Sequence, residues 1–492
     1  MGHWGGILLI RLSFLLVALG LAAVPGIARA QTSKFPLPGE LTGAVYLASD
    51  YVFRGISFTD EEPTVQANFY YTHPSGFYVG LWGTNTDFGP GSNFGEQLEF
   101  DPTAGFQGDG PFGIHYDFNY FYYHYPGVDH RHDLDMHEFG LFLSRDFGFF
   151  NVATQTIYSP EYSGDAGPSE YHAFNLGVPL PYRYAHRLPV SLNFHLGTQQ
   201  MDDDDPLSLD DYSDWSVGAT LPLKAFDLTV TYMDSDLDNI DAAGKQIVFM
   251  LSRAFGASKK AGLHTEEGEP PLDFPGEITG EIGFATEQTF RGFSLSDEEA
   301  TVIGSLKYNH PSGFYAGMWM SNLHLDGAST ADEHVKLRFW SGFTGETDFG
   351  LKWNADYYFV QFPGVATERE WDFHEVGGGL SYDFKHFQLW GGAYYSPDYF
   401  MGSGDATWIG FEGGRAVPHP FSDIVPVYFS ANWGNQFVDQ DEPTALEDYQ
   451  HWGTALTLDV LSFNWRVEFM DTNVKHRNDT DSRVMLTVTK SF

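Results

Sequence analysis

The sequence predicts an all-β protein: an antiparallel transmembrane β-barrel, written twice in tandem. Three observations predict it. Apolar and polar residues alternate with period two in short segments separated by turn residues. Aromatics make up 17% of the 492 residues and Gly contributes 54, yet past the N-terminus no run of about 20 apolar residues offers a spanning helix. A long internal repeat covers nearly all of the chain. The 66 Asp and Glu against 26 Lys and Arg give a formal charge of −40, which argues against a nucleic-acid partner. Disorder fits poorly with so many aromatics, and the absence of cysteine excludes a disulfide scaffold.

Residues 1–30 read as a secretory signal peptide. Arg11 precedes a mostly apolar run from Phe14 to Val24, and the segment ends Ala28-Arg29-Ala30, a small-x-small cleavage pattern before Gln31. An exported chain without cysteine draws no stability from disulfides, so another device such as sheet closure is expected.

The repeat follows. Segments 41–85 and 278–322 align at an offset of 237, with close to half of their positions identical. The same offset pairs Pro126-Gly127-Val128 with Pro363-Gly364-Val365, His137-Glu138 with His374-Glu375, and 251–255 with 488–492. The period is too long for a solenoid and reads as duplication of a whole domain. The first copy occupies 31–255, a Gly/Pro/Glu-rich linker 256–277, and the second copy 278–492.

Each copy reads as twelve strands. In the first they lie near 41–53, 64–73, 77–85, 96–106, 112–125, 134–146, 150–159, 170–178, 189–199, 212–221, 226–234 and 246–255. Many have the length of about 9–11 residues that a tilted strand needs to cross a bilayer. Connections after even-numbered strands are tight, as at His73-Pro74-Ser75-Gly76. Those after odd-numbered strands are longer and acidic, as at Thr59-Asp60-Glu61-Glu62-Pro63 and at 201–211 with its four consecutive Asp. Short turns on one side and long loops on the other form the pattern of an outer-membrane barrel. Hydrocarbon forbids an open sheet edge, because each unpaired backbone group costs several kcal/mol there. Tyr120, Tyr122, Tyr123 and Tyr125 suit an interfacial girdle. An even strand count leaves two tandem 12-stranded barrels or one 24-stranded barrel; Phe255, closing the first copy as Phe492 closes the second, favours two.

The segment Ser49-Asp50-Tyr51-Val52-Phe53-Arg54-Gly55-Ile56-Ser57, followed by Thr59-Asp60, resembles the opening motif of the TorF family of porin-like proteins, also known as the Gcw_chp group of proteobacterial proteins of unknown function. The second copy retains Phe290-Arg291-Gly292, Ser294 and Asp297, and departs at Glu287-Gln288-Thr289. Phe492 resembles the terminal sorting signal read by barrel assembly machinery. The resemblance implies a pore in the bacterial outer membrane and names no solute.

Candidate pore-lining residues follow from strand parity. In the first strand Leu41, Val45, Leu47, Tyr51 and Phe53 form a lipid face, which turns Asp50 and Arg54 into the lumen. Glu287 and Arg291 stand at the same places in the second copy. Opposite charges there either set a transverse field that orients solutes or pair as an internal salt bridge; the pairing is preferred, because a narrow barrel needs its charges matched. Glu138 and Glu375 fall on the same faces as Gly140 and Gly377, which also makes them luminal and able to partner an Arg.

His130, His132 and His137 with Asp129, Asp133 and Asp135 suggest a metal site only weakly, because the second copy keeps His374 alone among those His positions. The runs Asp202–205 and 234–238 read as solvated acidic loops. No catalytic constellation and no cofactor fingerprint is present. His137 and Glu138 are adjacent in one strand and so face opposite sides, where they cannot share one acid/base site. The expected function is diffusion of small polar or charged solutes, against a non-conducting structural or adhesive barrel and, less favoured, a hydrolase. Expected partners are outer-membrane lipid and lipopolysaccharide, the barrel assembly machinery and small solutes, with no nucleic acid and no cofactor.

Overall fold

The computed structural model describes residues 38–88, 98–126, 128, 134–162, 166–180, 189–201, 211–223, 226–237, 240, 242–256, 275–324, 335–363, 371–420, 425–439, 447–460, 463–474 and 480–491. Residues 1–30, read above as a signal peptide, most of the linker, Phe492 and the Asp202–205 run lie outside them. The described residues form two closed barrels, each of twelve antiparallel strands. The first runs from strand Glu40–Ala48 to strand Gln246–Phe255, the second from Glu277–Ala285 to Arg483–Ser491. Each first strand pairs with both the second and the last strand of its own copy: Gly43 stands opposite Phe69 and Phe255, and Glu281 opposite Ser305 and Ser491. Closure within each copy rules out a single 24-stranded barrel.

Period-two alternation sorts the side chains. Phe106, Phe118, Phe139, Phe174, Leu196 and Ile247 are exposed on the outer face, where hydrocarbon would meet them. Glu99, Asp101, Glu138, Gln199 and Asp214 are buried on the inner face. The alternation also divides the tyrosines assigned to the girdle. Tyr123 and Tyr125 are buried inside, while Tyr122 and Tyr120 pack against His137 outside, the Tyr120 hydroxyl 2.6 Å from the imidazole. Four tyrosines so close in sequence cannot all share one face of a pleated strand.

The first strand is shorter than its pattern. It ends at Ala48, and the chain turns into a small hairpin, Val52–Phe53 paired with Ile56–Ser57, before re-entering the wall at Thr64–Thr72. Tyr51 and Phe53 therefore leave the lipid face assigned to them. Tyr51 is buried inside, its hydroxyl donating to Glu99 at 3.3 Å. The second copy repeats the hairpin with Thr289–Phe290 and Phe293–Ser294.

Val45 and Leu47 do face outward, but they meet the other barrel instead of lipid. With Val65, Ala67 and Leu98 they form one apolar cluster with Ile282, Val302, Leu306, Met320, Val335 and Leu337 of the second copy. Val45 and Ile282, Val65 and Val302, Leu98 and Val335 are equivalent positions, so each barrel offers the same strip of wall, as in a two-fold dimer. Because the first barrel is sealed by its own strands, residues 31–255 alone are expected to fold. The check is electrophoretic mobility with and without boiling in detergent; a segment that migrates identically in both states depends on its neighbour.

Candidate functional site

Inside each barrel the two-residue tip of the hairpin is Arg-Gly. Phe53 pairs with Ile56, which leaves Arg54 and Gly55 as the central residues of a tight turn, at φ 49° and 82°. Positive φ at both positions matches the turn whose twist suits a hairpin. Gly fits because a Cβ on Gly55 would lie 2.8 Å from Ser235 Cβ and 2.9 Å from Asp214 Cβ: the tip presses against the inner face of the wall two and three strands round from its own. Arg54 is strained there by about 1–3 kcal/mol, and its side-chain contacts hold it. The hairpin base is fastened by Asp50, whose Oδ1 accepts from Ser57 Oγ at 2.7 Å and Thr59 Oγ1 at 2.9 Å. Ser57 N–H donates to the Ala242 carbonyl at 2.8 Å, which ties the hairpin to a neighbouring loop.

The Arg54 guanidinium donates to both oxygens of Glu138, at 2.7 and 2.8 Å, and to Gln199 Oε1 at 2.9 Å. It lies between the rings of Phe53 and Tyr171, 4.5 and 4.4 Å from their centroids, an arrangement suited to a planar cation. Tyr123 donates a further hydrogen bond to Glu138 at 3.0 Å. The second barrel builds the same site at the same offset. Arg291, at φ 50°, forks onto Glu375 at 2.7 and 2.9 Å and reaches Gln436 at 3.0 Å, with Phe290, Trp408 and Tyr399 around it.

Asp50 and Arg54 consequently do not pair with each other, nor do Glu287 and Arg291. Parity along one strand suggested those partners, but the hairpin breaks the strand between them and carries each Arg across the lumen to a distant strand. Glu287 instead binds Arg483 at 2.6 Å. Beneath the first hairpin lies a cavity of about 340 Å³ bounded by Arg54, Gln155, Tyr171, His195 and Asp214 among others. Asp214 accepts from the Tyr171 hydroxyl at 2.9 Å and lies 2.8 Å from His195 Nε2.

Of the metal candidates, Asp129, His130, His132 and Asp133 lie outside the described residues. His137 stacks outward on Tyr122, away from the lumen. Asp135 is engaged by His124, by the Tyr122 hydroxyl and by the Tyr125 N–H. Partial burial favours its neutral form, but these hydrogen bonds outweigh that and hold its carboxyl below the ordinary range.

The family model described as "Bacterial protein of unknown function (Gcw_chp)" matches residues 32–258 and again 271–492. The chain belongs to the Gcw_chp family. No curated protein matches it. Among solved structures, the KdgM porin is 6% identical, with 44% of this chain and 99% of that one covered at a TM-score of 0.30. The NanC porin is 8% identical over 43% and 98%, TM-score 0.29. The FrpB iron transporter from Neisseria meningitidis is 9% identical over 93% and 82%, TM-score 0.32.

Strand-one parity and the conspicuous His-Glu repeat led to six charged residues and missed Arg483, Asp214 and two inward pairs of this Gcw_chp chain. Glu99 and Asp101 face inward from strand Leu98–Asp109, and the offset of 237 turns them into Lys336 and Arg338 on strand Val335–Glu346. That reversal of sign is visible once the copies are laid side by side position by position; alternation within one copy does not show it.

Proposed function

We propose that this chain is an outer-membrane pair of porin-like barrels that admits small polar or charged solutes, with the inward hairpin as the constriction of each lumen. The observation that carries this reading is the wall itself, closed, apolar outside and charged inside. A soluble barrel gains nothing from a ring of exposed Phe, and a barrel that only fills space has no need of buried ions. Asp50, Arg54 and Glu138 would line the first constriction, and Glu287, Arg291 and Glu375 the second. Fixed charges at a narrow point select ions by attraction and by repulsion.

The test is reconstitution of the mature chain in a planar lipid bilayer. Stepwise conductance is expected, and Arg54→Gln is expected to move the reversal potential in a salt gradient. A reversal potential unchanged by Arg54→Gln removes that residue from the pathway. A bilayer that stays silent makes the barrels a structural or adhesive element of the membrane.

A further inference from the structure

The two lumens carry ionisable residues of opposite type at one height. Leu98 and its counterpart Val335 lie in the seam between barrels, as does Leu337, so the alternating Glu99 and Asp101, and Lys336 and Arg338, point inward. In the second lumen Arg291 binds Glu375 at 2.7 Å and Arg483 binds Glu287 at 2.6 Å. Lys336 and Arg338 have no carboxylate within salt-bridge distance among the described residues; the carboxylate whose charge reaches both, Glu375, is already bound to Arg291. Lys336 is among the most buried side chains of the chain, with Nζ 3.9 Å from the Phe290 ring centroid. The Arg338 guanidinium lies 5.4 Å from the Trp319 ring, 5.6 Å from Trp340 and 5.8 Å from Tyr358, and its Nε has no hydrogen-bond partner. Aromatic faces offset only part of what two cations lose on leaving water. An oxyanion would supply the rest, since both groups are donors without acceptors of their own and a guanidinium matches a carboxylate or phosphate edge.

We propose that Lys336 and Arg338 form an anion site in the second lumen, for small solutes bearing a carboxylate or phosphate, and that the first lumen, with Glu99 and Asp101 at the same positions, lacks it. The proposal rests on the reading of the lumens as open to solutes, and its test separates the two. Trp319 and Trp340 report on the site once the other tryptophans are replaced by Phe, and in that background iodide serves as the probe. Its quenching of tryptophan fluorescence is measured on the full mature chain in detergent, with neutral acrylamide as the reference.

Lys336→Gln/Arg338→Gln is expected to lower the iodide quenching constant roughly three- to fivefold and to leave acrylamide quenching unchanged. Lys336→Arg/Arg338→Lys keeps both charges and is expected to keep the wild-type response, which guards against a folding defect. Acetate and inorganic phosphate, added as competitors, rank the two oxyanions. Equal iodide quenching in wild type and the Gln variant overturns the proposal. A chain silent in bilayers that keeps the iodide difference loses the pore and retains the site; a conducting chain without the difference retains the pore and loses the site.

Discussion

Glu138→Ala is expected to destabilise the first barrel by about 3–5 kcal/mol, because it strands the Arg54 guanidinium without its counter-ion. That cation is almost wholly removed from solvent, and only the neutral side chains of Gln199 and Tyr162 would remain as polar neighbours for it. The left-handed backbone at Arg54 adds to the cost, since the contacts that held the strained turn are gone. Removing both charges is expected to be milder than removing one, so Arg54→Ala/Glu138→Ala should recover much of the loss. Urea unfolding of the mature chain in micelles, followed by the fraction that keeps its unboiled gel mobility, measures this. The second barrel serves as an internal reference, because Arg291, Glu375 and Gln436 are untouched. If the double variant is as unstable as Glu138→Ala, the ion pair is not what fixes the hairpin. In bilayers the released hairpin is expected to give larger conductance steps, and Glu375→Ala should reproduce both effects in the second copy.

How much of this was legible follows from what alternation encodes. Period two states which face a residue occupies, and so the inward Glu138 and the outward Val45 were both legible in the sequence. It does not state where round the barrel a residue stands. Arg54 and Glu138 are 84 residues apart and meet only because the wall closes and the hairpin crosses it. Tyr51 and Phe53 continued the alternation of the first strand, and that pattern concealed the break at Ala48. The signal that marks the break is Arg54-Gly55, a dipeptide ending in the residue most tolerant of positive φ, and its repetition at Arg291-Gly292. Alternation cannot distinguish lipid from a second barrel either, since both environments are apolar. The fate of Val45 and Leu47 therefore depended on which strips of the two walls are smooth enough to touch.

That smoothness makes the second large prediction. Gly304→Leu is expected to force the barrels apart. At this position a Cβ alone would lie 2.7 Å from Val65 Cγ2, 3.0 Å from Leu47 Cδ2 and 3.2 Å from Val45 Cγ2, all in the other barrel. Ala67, the equivalent position in the first copy, is small as well and fully buried in the same seam. Within a membrane, lipid tails are as apolar as Val or Leu, so hydrophobic transfer contributes little to holding two walls together. What remains is close packing, and small residues permit it. Overfilling such a contact costs about 1–3 kcal/mol, which is a large share of an association that has no other strong term. The barrels would still be joined by their linker, so the readout has to sever it. A protease site placed in the linker, followed by affinity capture of one half, should recover both halves of the parent chain and only one half of Gly304→Leu. Each half should retain its heat-dependent mobility, because closure does not use the seam. Recovery of both halves from the Leu variant would mean that the walls are held by contacts other than this strip.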